Sequence, residues 1–447
     1  MMIQIQALAL LLQAAAPAVP ASPTPSFSSA TTVVTPAPAT PAAPLPPMGL
    51  PPGAAESATV VAPVTVVIPA AHAPEPKHDS WTDHITLRGY TQLRYDRAFA
   101  DTTPGMRYEF GDKGLTGPAS FTLRRVRLAL LAKPTDRVTV YLQPDFAGAI
   151  AGDTMHVLAA RDAWAALAIG ADKEFTLRSG LLKVPYGWEN IQSSQNRIAL
   201  DRSESINTAA PGERDIGAFL FYTPKEVHER FDTIMKLGLK GSNDWGLASI
   251  GVANGQGINL IEKNSTKTAY ARLSLPFLLG GSQWAEVGVA GYYGTVAVTR
   301  GDKIFSRQMG GTNDNFDDAR GLLSLNLFPQ PFGVQIEANY GTGPELDGTF
   351  VQQKDVYGGY CMLSYRIAEL PGSAGQLIPY ARGSYYRGGH KLETNVGAYK
   401  VTEFEGGIEW TPVKNAEFTV AYLNVARTLN GTDQRGDWVR LQAQFSY

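Results

Sequence analysis

Two stretches decide the fold: ITLRGYTQLRYD, residues 85–96, and DWVRLQAQFSY, residues 437–447. In the first, Ile85, Leu87, Thr91, Leu93 and Tyr95 fall on one parity, and Arg88, Tyr90, Gln92, Arg94 and Asp96 on the other. In the second, Val439, Leu441, Ala443, Phe445 and Tyr447 oppose Arg440, Gln442, Gln444 and Ser446. Successive side chains of a strand point to opposite faces, so each stretch is a strand with one apolar and one polar wall. The pattern recurs between them. Val126, Leu128 and Leu130 oppose Arg125 and Arg127; Leu273 and Leu275 oppose Arg272 and Ser274; Ile336 opposes Glu337; Ile408 and Trp410 oppose Glu405 and Glu409.

A soluble sandwich also alternates. Three features favour a membrane barrel instead. The strands run to roughly ten residues, the length a tilted strand needs to cross a bilayer. Connections alternate between short ones such as KPTD, GADK, GGS and PQP and long ones such as 97–119, 255–267 and 301–318. Tyr and Trp recur near strand ends, where an interfacial girdle belongs. Candidate strands begin near residues 85, 120, 137, 156, 174, 231, 245, 267, 284, 319, 333, 355, 376, 402, 416 and 437. That even count places both termini on the periplasmic side. IGAFLFYT, residues 216–223, is also strand-like, but is assigned to the end of the long connection before it.

Composition agrees. The chain has 447 residues, 39 Lys+Arg against 41 Asp+Glu, 10% aromatics and one Cys. A single Cys excludes a disulfide framework and a Cys-based metal site. The charge balance gives no reason to expect nucleic acid as a partner. Beyond the N-terminus there is no apolar run of ~18 residues, so helical membrane spans are excluded. Residues 1–76 lack Lys and Arg and hold 16 of the 30 prolines. ALALLLQAAA, residues 7–16, reads as the apolar core of a secretory signal, giving a signal peptide over 1–21 without the usual basic start. Residues 22–80 read as a Pro/Ala-rich disordered linker, too poor in buriable surface to fold, and residues 81–447 as the barrel.

The connection following the fifth strand is long and charged, and long connections are usually functional. Its start, GLLKVPYGWE (180–189) with QSS (192–194), resembles the strand-to-loop signature of the phosphate-selective porin O and P family. APGERDIG (210–217) resembles that family's downstream "GRDIG" element, and FTLRRVR (121–127) its second-strand "LRRxR". The resemblance covers about residues 85–447. It implies an all-β, 16-stranded antiparallel transmembrane barrel in the bacterial outer membrane, with its third outer loop folded inward. It also implies a homotrimer in contact with lipid and lipopolysaccharide, through which small anions such as phosphate diffuse passively.

The residues expected to line the pore and bind anions are Arg88, Arg94, Arg125, Arg127, Lys183, Arg197, Arg202, Arg214 and Arg272. Arg88, Arg94, Arg125 and Arg127 are expected to form one local group, with Asp96 and Asp145 as counter-charges. Arg320, Arg366, Arg382 and Arg440 also fall on polar faces. Inward acids (Glu286, Glu337, Glu403, Glu405 and Glu409) start only at the ninth strand, so a basic wall should face a partly acidic one. Six histidines lack metal-ligand spacing and no catalytic motif is present, so neither an enzyme nor a cofactor is expected. The alternatives are a structural or adhesive barrel with an occluded lumen, and an outer-membrane hydrolase.

Overall fold

The computed structural model describes residues 81–99, 101–103, 106, 119–148, 157–306 and 314–447. The signal peptide and linker expected over 1–80 lie outside the described residues. After a short 3-10 turn, the chain forms β1 (Ile85–Ala98), β2 (Ala119–Ala132), β3 (Val138–Gly148), β4 (Val157–Ile169), β5 (Phe175–Lys183) and β6 (Arg214–Tyr222). There follow β7 (Ala248–Ala253), β8 (Thr268–Leu279), β9 (Gln283–Ala297), the two-residue β10 (Phe305–Ser306), β11 (Asn315–Leu327) and β12 (Phe332–Asp347). The last are β13 (Phe350–Tyr365), β14 (Gln376–Gly389), β15 (Ala398–Val413), β16 (Ala416–Leu429) and β17 (Thr432–Ser446). Among the described residues three α-helices interrupt them: α1 (Trp188–Ile191), α2 (Glu204–Asn207) and α3 (Lys225–Lys236).

Each barrel strand pairs antiparallel with the next, and β9 pairs directly with β11. The strand β10 stands outside this ring and pairs with β13. Closure is made by β1 and β17, from Tyr90 opposite Ser446 to Ala98 opposite Trp438. The result is a closed ring of sixteen strands. In lipid an open sheet edge leaves backbone groups unsatisfied, each costing several kcal/mol, which is why the last strand must meet the first. Leu87, Leu93, Phe121, Leu167, Leu323, Ile408, Val420, Leu441 and Phe445 are exposed on the outer wall. So wide an apolar belt suits hydrocarbon, not water. Aromatic pairs sit at both rims: Phe175–Tyr222 and Trp410–Phe418 at the end carrying the termini, Tyr95–Phe121 at the other.

Two sequence-based assignments are corrected. IGAFLFYT is not loop: it lies within and just after β6, whose register with β5 runs from Phe175 opposite Tyr222 to Lys183 opposite Arg214. The strand expected near 231 is instead the helix α3. Its buried side chains, Val227, Phe231 and Ile234, are spaced four and three apart, the helical period, with Pro224 before the first turn. The two errors cancel, so the count of sixteen stands. They also shorten the long connection to residues 184–213. The strands β13, β15 and β17 each start about five residues earlier than the apolar alternation suggested, because their first residues continue the ladder without that alternation.

Candidate functional site

The inward parity of β1 and β2 is the one predicted: Gln92, Arg94, Asp96, Arg125 and Arg127 are all buried within the ring. Arg94 Nη1 lies 2.7 Å from Asp201 Oδ2, and its Nη2 also donates to Leu200 O at 3.1 Å. Arg440 of β17 places Nη2 2.5 Å from the same Asp201 oxygen and Nε 2.8 Å from Asp96 Oδ1. On the other oxygen, Oδ1, Arg124 Nη2 stands at 3.2 Å and Arg125 Nη2 at 3.9 Å. Four guanidiniums from three strands thus surround one carboxylate carried by the connection 184–213. Charge-assisted bonds of this kind are among the strongest that proteins make.

That connection bonds to β1, β11, β12, β14, β15 and β17. Gln92 on β1 donates to Ser194 O, and Gln444 on β17 to Gln195 O. Glu337 on β12 accepts the backbone N–H groups of Trp188 (2.5 Å) and Glu189 (2.9 Å). Arg382 on β14 reaches Glu189 at 2.9 Å, and Glu405 on β15 accepts from Leu200 N at 3.0 Å. Asn339 donates to Ser205 O and Arg320 to Thr208 Oγ1. Tyr186, Ile191, Ile198 and Ile206 of the connection pack with inward Phe219, Tyr292, Leu322, Met362 and Tyr380. Apolar residues on a polar parity are the sequence signal for this packing, and composition alone conceals it.

The remaining expected site residues divide. Arg127 pairs with Asp145 (2.8 Å) and donates to the Tyr90 hydroxyl (2.9 Å). Asp145 therefore serves as a counter-charge to the group, whereas Asp96 pairs with Arg440 outside it. Arg88 does not join the group. It stands six residues before Arg94 on the same strand, about 20 Å along it, and is exposed near the end that carries the termini. Lys183 donates to the carbonyls of Asn190, Ile191 and Gln192, at 2.9, 3.2 and 2.6 Å. Arg202 pairs with Glu213 at 2.8 Å, and Arg214 with both Glu213 and Asp162. Burial alone would raise the Glu213 carboxyl, but Arg202 and Arg214 hold it well below the usual range. Arg197 is buried. Arg272 lies on β8 and pairs with Glu286 at 3.0 Å. Arg366 sits in the turn after β13, donating to Gln376. Sequence alternation missed Arg124, because a register shift between Gln92 and Leu93 leaves it the extra residue of a bulge and turns it inward. It also missed Arg178.

The family model described as phosphate-selective porin O and P matches residues 105–447. The chain belongs to that family. No curated protein matches the sequence. Among solved structures, the outer membrane channel DcaP of Acinetobacter baumannii is similar at 15% identity and TM-score 0.51, over 81% of this chain and 97% of that one. Pseudomonas putida OprB follows at 7% identity and TM-score 0.48, over 82% and 95%. An anion-selective porin from Comamonas acidovorans stands at 12% and 0.46, over 81% and 99%. The porin is an outer-membrane protein that acts as a passive diffusion channel and not as an enzyme. The sequence-derived 16-stranded antiparallel barrel and the family are both borne out.

Proposed function

We propose that the porin prefers small anions, phosphate-like ones among them, and that they travel along the β1–β5 wall past a constriction formed by residues 184–213. What carries this reading is which charges meet water. Inward Glu337, Glu403, Glu405 and Glu409 are at most 3% exposed. Protein groups face them: Glu337 accepts from loop N–H groups and Tyr360, Glu403 from Ser384, Glu405 from Leu200, Tyr380 and Arg382, and Glu409 is ion-paired with Lys240. The basic wall instead keeps partly accessible cations: Arg88, Arg178, and Arg161 with 21% of its side chain exposed. A permeating ion responds to the charges that remain solvated in its path. The homotrimer, the lipopolysaccharide contacts and removal of residues 1–21 on export rest on the family resemblance and belong to the same proposal.

Asp201 is the test of the constriction. Asp201→Asn removes the charge that draws Arg94, Arg124, Arg125 and Arg440 onto the connection, and breaking such a buried pair costs about 3–5 kcal/mol. Single-channel conductance should rise, with the added current carried by anions. Shortening residues 191–209 should raise it further. Unchanged conductance in both variants would place the connection outside the ion path.

A further inference from the structure

Arg178 is unlike the other inward arginines. Arg94, Arg127, Arg214, Arg272, Arg382 and Arg440 each direct guanidinium nitrogens at a protein carboxylate. Arg178 makes no hydrogen bond or ion pair among the described residues, and its Nε is buried without a partner. Its neighbours are rings. The guanidinium carbon lies 4.5 Å from the Trp164 centroid, 4.7 Å from Phe221 and 5.1 Å from Trp245. Cation–π contacts use the face of the guanidinium and leave its edge donors in place.

The rings continue along the wall. Trp164 stacks on Tyr141, centroids 5.1 Å apart and planes 24° from parallel, and Arg88 approaches Tyr141 from β1. Phe221 and Trp245 are buried and back the shelf, whereas Tyr141, Trp164 and Arg178 stay partly open and Arg88 is exposed. Arg88, Tyr141 and Arg178 each stand fourth in a strand that starts at the end carrying the termini. The shelf therefore faces the periplasmic mouth, on the far side of the constriction from the long loops.

We propose that this shelf is a binding subsite for planar aromatic carboxylates. The carboxylate takes the edge of Arg178 in a forked pair, and the ring packs against the partly exposed edges of Trp164 and Tyr141, within reach of Arg88. Inorganic phosphate or acetate engages the guanidinium alone and gains nothing from the rings. Aromatic contact adds enough to separate benzoate from acetate by several-fold up to about tenfold. The inference rests on the anion-channel reading and names a solute class for its wall.

The experiment uses the purified full-length porin in planar bilayers, with benzoate, acetate or inorganic phosphate added on the periplasmic side and current block recorded. Benzoate should block at several-fold lower concentration than acetate. Trp164→Leu should abolish that gap while leaving acetate block in place. Arg178→Lys, which keeps the charge and the fold but loses the planar fork, should weaken benzoate block several-fold. Equal block by benzoate and acetate, or full benzoate block in both variants, overturns the subsite. The two readings separate by the reversal potential in a potassium chloride gradient. Anion preference with equal block defeats the subsite alone, whereas cation preference defeats the anion-channel reading whatever benzoate does.

Discussion

Gly89 and His228 show two ways in which one residue holds an end of this barrel. Gly89 and Tyr447 exchange backbone hydrogen bonds of 2.6 and 3.0 Å where the first strand meets the last residue. A Cβ on Gly89 would stand 2.5 Å from both the Arg127 carbonyl oxygen and the Tyr447 ring. The ring therefore covers the glycine on the outer wall. Gly89→Val should displace Tyr447 and weaken closure by about 1–3 kcal/mol, as overpacking does. The measurement is the temperature at which the folded band shifts in heat-modifiability gels, and a wild-type temperature would count against the contact. His228 is on α3, outside the membrane-spanning strands. Its hydrogen bond to Asp244 (2.7 Å) raises its pKa, opposed by partial burial and aided by Asp232 and Glu229. A raised folded-state pKa means that the stabilisation is complete below the ordinary histidine value of about 6.5 and is lost as pH rises through the higher one. Proton NMR should show His228 titrating above that ordinary value, and Asp244→Asn should return it there. A wild-type titration at or below the ordinary value would contradict the pairing.

Among the connecting elements, the one between β6 and β7 departs most from the barrel pattern. It lies at the end that carries the termini, where the other connections are short, yet it holds α3 and a return segment. Lys240 of that segment reaches Glu409 at 2.7 Å and Glu417 at 2.6 Å, on β15 and β16. Gln192 and Asn196 donate to the carbonyls of Lys240 and Gly241, so the connection also touches the segment 184–213. Lys240→Ala would leave two acids facing each other without their cation. Hydrogen exchange over residues 225–247 should then quicken while exchange in β12–β17 stays slow; no change over 225–247 would show that the lysine holds nothing. This element was the least legible in the sequence. Barrel strands announce themselves by an exposed apolar parity, because lipid demands it of every strand. Nothing outside constrains the connection, and its helical spacing spans only Val227, Phe231 and Ile234. The segment 184–213 was legible in its start and its charge but not in its length or its partners. Asp201 finds Arg94, Arg124, Arg125 and Arg440 only after β1, β2 and β17 have been brought together by closure.

At the scale of the whole molecule, the proposed function divides the work between two walls. Glu286, Glu337 and Glu405 hold the connection 184–213 and are withdrawn from water, and in that proposal the cations of β1–β5 that remain accessible face the path. The polar parity predicts which side chains point inward, and the pairing decides which of them an ion meets. Arg125 and Arg127 illustrate the difference: both point inward as expected, yet Asp201 and Asp145 stand beside them. Selectivity set by the accessible remainder is electrostatic, so it must depend on screening. The Debye length is about 10 Å at 0.1 M salt and about 3 Å at 1 M. The measurement that tests the account most directly is the single-channel reversal potential of the full-length porin in a potassium chloride gradient, at low and at high mean salt. The account predicts a potential displaced toward the chloride equilibrium value at low salt and closer to zero at high salt. A potential on the potassium side at low salt, or one equal to zero at both, would contradict it.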